Sequence, residues 1–366
     1  MTTNLSNFLK TFLDHLEPEL RNYLDSKVAE LQSFDPVGQL LAQVVREFTL
    51  SGGKRLRGAL VVLGYQMVSG RDSMNAEILR LAIAIETLHS FLLIHDDILD
   101  RSLERRNKPT VHRVFGEMYK SLLQSLTEKD REHFTFSMAI LAGDWCSALA
   151  YEALVTSSFP PQRVIAGLKH MHRIIDATLV GQTLDVLRPL QVEVTEADVL
   201  KIHQLKTAKY TMEGPLHLGM IMAGAQVSDL KQVSEYAIPV GVAFQIHDDL
   251  LGIFGSEKEI GKSVTSDLEE GKKTLLTVFA QTNGTEAERS RITELLGRRD
   301  LTQNELEEVR SIFQKSGAVT YCEEKARTLV DEGKGALVRL RDTGIISLQN
   351  HDILAELAEY TIGRRM

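Results

Sequence analysis

The sequence predicts an all-α, single-domain helical bundle. Apolar residues recur at three- and four-residue steps along nearly the whole chain, the period of a helix with one buried face. Only 8 prolines occur in 366 residues, and runs of β-branched residues are short. Strand-like alternation does not persist beyond brief stretches, and low-complexity segments are absent. Together these favour helices packed on helices around one core, spanning 1–366.

Taken in order, residues 5–32 read as a first helix. Asp35-Pro36 starts a second, with Pro36 at the first helical position, and Ser51-Gly52-Gly53 ends it. A third covers 55–69, broken by Gly70 and Asp72. Residues 75–101 make a long helix, apolar nearly all round, as expected inside a bundle. The mixed stretch 108–135 predicts a short helix and an exposed excursion. Helices follow at 136–158, 161–187, 196–224, 228–254 and 272–283. Residues 284–304 read as a surface loop or short helices, and 305–363 as two or three amphipathic helices.

Hydrophobic residues make up 43% and charged residues 25%, enough for a large core. A formal charge of −8 argues against nucleic acid as the main partner. Small phosphorylated molecules stay open, because bound cations reverse the local sign. Cys146 and Cys322 form no CxxC pattern. The start, MTTNLSNFLK, lacks a basic region followed by an apolar stretch. By this reading no apolar run approaches the roughly 20 residues that a membrane span needs. The expectation is a soluble, cytoplasmic protein.

The chemistry lies in a repeated pattern. IHDDILD (Ile94 to Asp100) and IHDDLLG (Ile246 to Gly252) each place carboxylates at the end of an apolar helix. Asp96 and Asp100 are four apart and share a face; Asp97 is turned about 100° away. Crowded, partly buried carboxylates repel unless a cation neutralises them. Oxygen ligands without nearby cysteine favour Mg²⁺ or Mn²⁺, which complete their shells with water and phosphate. The bland alternative is a solvated acidic turn, and two such pairs on apolar helices weigh against it. His95 and His247 precede the two pairs, so a metal-dependent phosphohydrolase built on histidine and aspartate stays open, with other histidines as further ligands.

Basic groups complete the pattern. SGGKRLR (Ser51 to Arg57) joins a glycine break to a helix start, a natural place for a diphosphate, with Gly53 allowing close backbone approach. Lys54 and Arg57 are three apart. Arg105 and Arg106 follow the first acidic cluster, Lys206-Thr207 lie in a later helix, and Lys262 and Lys272 follow the second cluster. Any one of these alone reads more readily as a solvated surface charge. Collected around two carboxylate clusters, they point to multiply charged oxyanions.

GGKRLR, LHSFLLIHDDILDRSLERRNKPTVH, LKTAKYT and FQIHDDLLGIFGSEKEIGKSVTSDLEEGKKT together resemble the trans-prenyl diphosphate synthases, co-linearly over residues 45–280. The resemblance implies an all-α fold around a deep central cavity, a homodimer, and three Mg²⁺ ions. It implies that Asp96 and Asp100 bind two ions on an allylic diphosphate with Asp97 in support. Asp248 would bind the third, with Asp249 beside it. Gly53, Lys54, Arg57, His89 and Arg106 resemble an isopentenyl diphosphate site. Arg105, Lys206, Thr207, Gln245, Lys262 and Lys272 match positions that hold the allylic diphosphate. The second motif departs from the family's common DDxxD, with Gly252 in place of the last aspartate; a subgroup of the family shares that glycine. Asp267 would then help through water.

The implied reaction is ionisation, condensation and elimination in a water-free cavity. Chain length would depend on residues before the first motif. The helical wheel places Leu92 and Leu88 nearest the aspartate face, whereas the resemblance gives weight to Phe91, five positions before Asp96. An aromatic there without a two-residue insertion in the motif resembles geranylgeranyl synthases, a C20 product, with C15 or longer products as alternatives. A class I terpene cyclase fits less well, lacking use for a GGKR-type site. A non-catalytic prenyl-diphosphate-binding subunit fits less well too, because the first motif is intact.

Overall fold

Side chains that cap helix ends set the element boundaries. In the computed structural model, which describes residues 3–71, 74–255 and 264–363, α1 (Asn4–Gln32) starts where Thr3 accepts from the Ser6 N–H. α2 (Pro36–Thr49) starts where Asp35 accepts from Val37 N–H ahead of Pro36. α3 (Leu56–Ser69) and α4 (Ala76–Leu99) follow. Asp72, expected to help end α3, lies outside the described residues. Phe12, Leu16, Leu20 and Leu24 line one face of α1 at four-residue steps and are almost completely buried. Each such side chain contributes about 1.5–3 kcal/mol by leaving water.

After α4 the chain makes a small hairpin, β1 (Glu104–Arg105) against β2 (Lys108–Pro109). α5 (Val111–Met118) and the single turn α6 (Lys120–Leu123) lead into α7 (Glu128–Val155). α7 therefore begins eight residues before the predicted 136: Thr127 caps it, accepting from the Asp130 N–H, and Glu128 and Asp130 suit its positive end. α8 (Pro161–Leu187) packs beside it.

One long helix was expected over 196–224. Instead α9 (Glu196–Ile202) widens into a π-helical stretch, His203–Glu213, before tightening again into α10 (Gly214–Ala223). α11 (Val227–Phe254) carries the second acidic cluster at its C-terminal end. The remaining described elements are α12 (Ser266–Glu269), α13 (Leu275–Asn283), α14 (Glu286–Leu295), α15 (Gln303–Lys315), α16 (Ala318–Asp342) and α17 (Leu348–Ile362). α13 starts three residues after the predicted 272, where Thr274 supplies the cap.

Most of the buried apolar side chains among the described residues form one cluster. α4 runs against α7, and α11 lies between the π-helical stretch and α16, so both acidic helices are central. The expectation about membrane spans needs correcting. α4, α7 and α11 each have the length and apolar composition to cross a membrane. In α4 and α11, 67% and 61% of the apolar window is buried by other helices, which accounts for their all-round apolar character.

Candidate active site

A cavity of about 1060 Å³ opens among the start of α3, the C-terminal half of α4, the hairpin, α8, the π-helical stretch, the end of α11 and the α12–α13 connection. Asp96, Asp100, Asp248 and Asp249 all line it, as do Lys54, Arg57, His89, Arg105, Arg106, Lys206, Thr207, Gln245 and Lys272. Both acidic helices and the basic loop, far apart in sequence, thus face one space. Lys262 lies outside the described residues.

The first cluster divides by direction. Asp96 and Asp100 face the cavity, whereas Asp97 is 1% exposed and turned to the hairpin. There Arg105 Nε donates to Asp97 Oδ1 at 2.7 Å, and a second guanidinium nitrogen reaches Asp96 Oδ2 at 3.5 Å. Burial pushes the Asp97 carboxyl up to about 6, against the pull of Arg105. Lys206 Nζ stands 3.5 Å from Asp96 Oδ1 and 2.7 Å from Asp185 on α8. Lys272 Nζ lies 3.5 Å from Asp100 Oδ2, 3.4 Å from Asp267 and 2.6 Å from Glu270. Burial alone would lower both lysine pKa values; the surrounding carboxylates outweigh it and raise them. Burial pushes Glu270 up to about 7, with Lys272 opposing.

On α11, Asp249 is held from two sides. Gln245 Nε2 donates to its Oδ1 at 2.8 Å, and Gln245 Oε1 accepts from the Thr207 hydroxyl at 2.7 Å. His203 Nε2 stands 3.1 Å from Asp249 Oδ2. Gly252 takes its meaning from Asp267: a Cβ at position 252 would stand 2.7 Å from Asp267 Oδ2. The carboxylate missing from the motif is replaced in space by one delivered from α12.

The basic side is built on α3. Gly53 has φ 121°, open to glycine but not to L side chains, and the Arg106 guanidinium lies 3.1 Å from where a Cβ would be. Arg106 donates to Gly52 O. Arg105 and Arg106 diverge because Arg106 and Asn107 are both left-handed, φ 54° and 58°, in a two-residue hairpin turn. Arg55 is buried and ties the loop down through Glu17 and Thr49 O. Glu86, 2% exposed on α4, accepts from Gly58 N–H and lies 3.6 Å from Arg55, so one donor of the α3 start is already used by the protein. Lys54 lies over the Tyr360 ring at 4.5 Å.

Arg57 donates to Thr211 Oγ1 at 2.7 Å and approaches His89 Nε2 at 3.3 Å. Because guanidinium only donates, His89 Nε2 accepts and its proton sits on Nδ1, facing the Tyr210 oxygen. The Tyr210 hydroxyl proton is then directed toward the cavity that it lines. Burial, helped by Arg57 and Arg106, holds the His89 pKa well below the ordinary histidine value, so the ring is neutral.

Phe91 and Leu92 line the lower cavity opposite Thr178, Leu179 and Gln182 of α8. Leu88 is completely buried in the core and is not part of that wall. Sequence reasoning passed over Asp185, Glu86, Tyr210 and Glu270, and weighed His203 only as a further histidine ligand of the phosphohydrolase reading. Glu86 had a signal, as a lone acid in the apolar run LAIAIETL; Asp185 had one in the polar pair of GQTLD. Of the other histidines, His112, His170, His172 and His217 are not on the cavity wall; His89 and His203 are, the first held between Arg57 and Tyr210 and the second beside Asp249.

The polyprenyl synthetase family profile matches residues 38–313. A geranylgeranyl diphosphate synthase of Saccharolobus solfataricus is 31% identical over 366 residues, 99% of this chain and 98% of the relative. A geranylfarnesyl diphosphate synthase of Aeropyrum pernix is 33% identical over 317 residues, 86% of this chain and 91% of that protein. Among solved structures, the Corynebacterium glutamicum geranylgeranyl pyrophosphate synthase complexed with isoprenyl diphosphate and magnesium aligns over 99% of both chains with a TM-score of 0.88 and 26% identity. With two acidic helices and a glycine-rich basic loop converging on one cavity, and with these matches, the chain belongs to the polyprenyl synthetase family and is a prenyltransferase.

Proposed function

We propose that the protein condenses isopentenyl diphosphate with an allylic diphosphate to give an all-trans C20 product, geranylgeranyl diphosphate, with Mg²⁺ as cofactor. One observation carries this reading: Asp96, Asp100 and Asp248 face the same cavity as Lys54, Arg57 and Arg106. The donor set fits a hard divalent ion, being all carboxylate oxygen, and lysine ammonium groups already stand 3.5 Å from Asp96 and Asp100. Asp96, Asp100 and Asp248, with Asp249 and Asp267 nearby, would hold Mg²⁺, which neutralises charge growing on the departing diphosphate.

The chain's own groups do the remaining work. Lys206, Lys272 and Arg105 face the leaving diphosphate and stabilise it electrostatically as the allylic carbon–oxygen bond breaks. Gly53, Lys54, Arg57 and Arg106 hold the second diphosphate, placing the isopentenyl double bond against the allylic cation. The new carbon–carbon bond leaves a tertiary cation, which loses a proton to an oxygen of the released diphosphate. Neutral His89 carries no charge to repel the passing cation. Apolar walls at Phe91, Leu92 and Phe244 keep water from quenching it.

Purified protein incubated with labelled isopentenyl diphosphate, allylic primers and Mg²⁺ should form a C20 prenyl diphosphate, resolved by chromatography. Chelation should stop turnover. Asp96→Ala should lower turnover by at least about 10²–10³-fold with helical circular dichroism unchanged. Near-normal turnover of that variant would refute the assignment. The Aeropyrum relative, a geranylfarnesyl diphosphate synthase, makes C25 the second reading for the product.

The reading extends to a homodimer. α7 and α8 expose Ile140, Leu141, Val180, Val186 and Leu187, an apolar face of the kind that a second copy covers. Leu141→Glu should shift sedimentation from dimer to monomer. An unchanged sedimentation coefficient in that variant would count against this face.

A further inference from the structure

The wall of the lower cavity is supported from behind by a contact that the mechanism does not use. On α4, His95 follows Phe91 by four residues, and both line the cavity. His95 Nδ1 donates to Phe91 O at 3.0 Å. The two rings meet edge-on, centroids 4.9 Å apart and planes at 68°. On the outer side, His95 Nε2 stands 3.7 Å from Asp144 Oδ1 of α7. Behind the imidazole lies Gly143 of α7. A Cβ there would stand 2.3 Å from His95 Cε1 and 2.5 Å from Nδ1, closer than any side chain tolerates. The glycine is therefore the seat of the ring, and the ring is the backing of Phe91.

We propose that Gly143 and His95 act as positioning residues for chain length, setting how far Phe91 projects into the cavity. The inference rests on the reading of this chain as a prenyl diphosphate synthase whose product grows down toward Phe91. A methyl group at 143 drives the imidazole forward onto Phe91 and raises the floor. Removing the imidazole leaves space into which Phe91 retreats, and the floor drops. The two changes act in opposite directions through one contact. Combined, they should cancel, because the new methyl group then occupies space that the missing ring has vacated. A structural role for Gly143 or His95 would lower turnover or stability alike in all variants and would not reverse the sign of a product shift.

The test is the chromatographic product profile of full-length Gly143→Ala, His95→Ala, the double variant and Phe91→Ala, compared at equal substrate consumption. Gly143→Ala should move the main product down by one five-carbon unit and His95→Ala up by one. The double variant should lose the shortening seen in Gly143→Ala. Phe91→Ala reports on the underlying reading and should lengthen the product. If Phe91→Ala lengthens it while His95→Ala leaves the profile unchanged, the inference falls and the floor assignment stands. If Phe91→Ala itself changes nothing, the floor assignment falls and takes the inference with it. Should Gly143→Ala not fold, His95→Ala and Phe91→Ala still decide the matter.

Discussion

Gly252 shows how one missing side chain is made good by another. Asp267 Oδ2 sits 2.7 Å from the place where a Cβ on residue 252 would be, so the glycine and the later aspartate are a matched pair. Restoring the common motif with Gly252→Asp should therefore harm the enzyme, lowering turnover by about tenfold or more as charge stabilisation is displaced. Gly252→Asp combined with Asp267→Gly should recover part of it, with turnover followed against Mg²⁺ concentration. Higher turnover in the single variant would show that the two positions do not compete. At this scale the sequence spoke unevenly. Asp96 and Asp100 were legible because a four-residue step puts them on one helical face. The turning of Asp97 toward Arg105 was not, since it depends on a hairpin that periodicity does not reveal.

At the scale of elements, the long helices were legible from apolar spacing and caps: Pro36 after Asp35 starts α2 where expected. Two departures were not. The π-helical stretch His203–Glu213, packed against α8 and α11, carries the same apolar pattern as an ordinary helix, so periodicity does not reveal the wider turn. The hairpin of β1 and β2 is too short to show alternation, and its turn uses Arg106 and Asn107, of which only Asn favours a left-handed backbone. The hairpin aims Arg105 at the acidic helix and Arg106 at the basic loop. Asn107→Val should cost about 1–2 kcal/mol locally, since a β-branched residue resists φ near 58°. KM for both diphosphates should then rise, while Asn107→Gly stays near wild type. Equal KM values for the two variants would remove the turn as the aiming device.

For the whole molecule, burial of histidines ties stability to pH. Burial lowers the pKa of His170 to about 4, and it also lowers those of His89, His112 and His217. Unfolded, each titrates near 6.5. As pH falls, the unfolded chain takes up protons first, so this stability is whole above about 6.5 and drains away toward about 4. Asp97 and Glu270, raised by burial to about 6 and about 7, act with the opposite sign, weakening the fold as pH rises through those values. His170→Gln can still donate to Gly214 O and isolates one contribution. Between about pH 7.5 and about pH 5, urea unfolding should cost wild type about 2 kcal/mol more than the variant. Equal losses would refute the assignment.

Lys206 and Lys272 each bridge carboxylates that belong to different elements: Asp96 with Asp185, and Asp100 with Asp267 and Glu270. Before anything enters, the mouth is thus internally compensated. A divalent ion arriving at an aspartate competes with an ammonium for it, and an ammonium so displaced becomes available to an anion. Thermodynamic reciprocity then requires each visitor to tighten the hold on the other by the same factor. The pocket would retain inorganic pyrophosphate poorly in metal-free buffer and well in its presence, a heterotropic coupling written into two ordinary ion pairs.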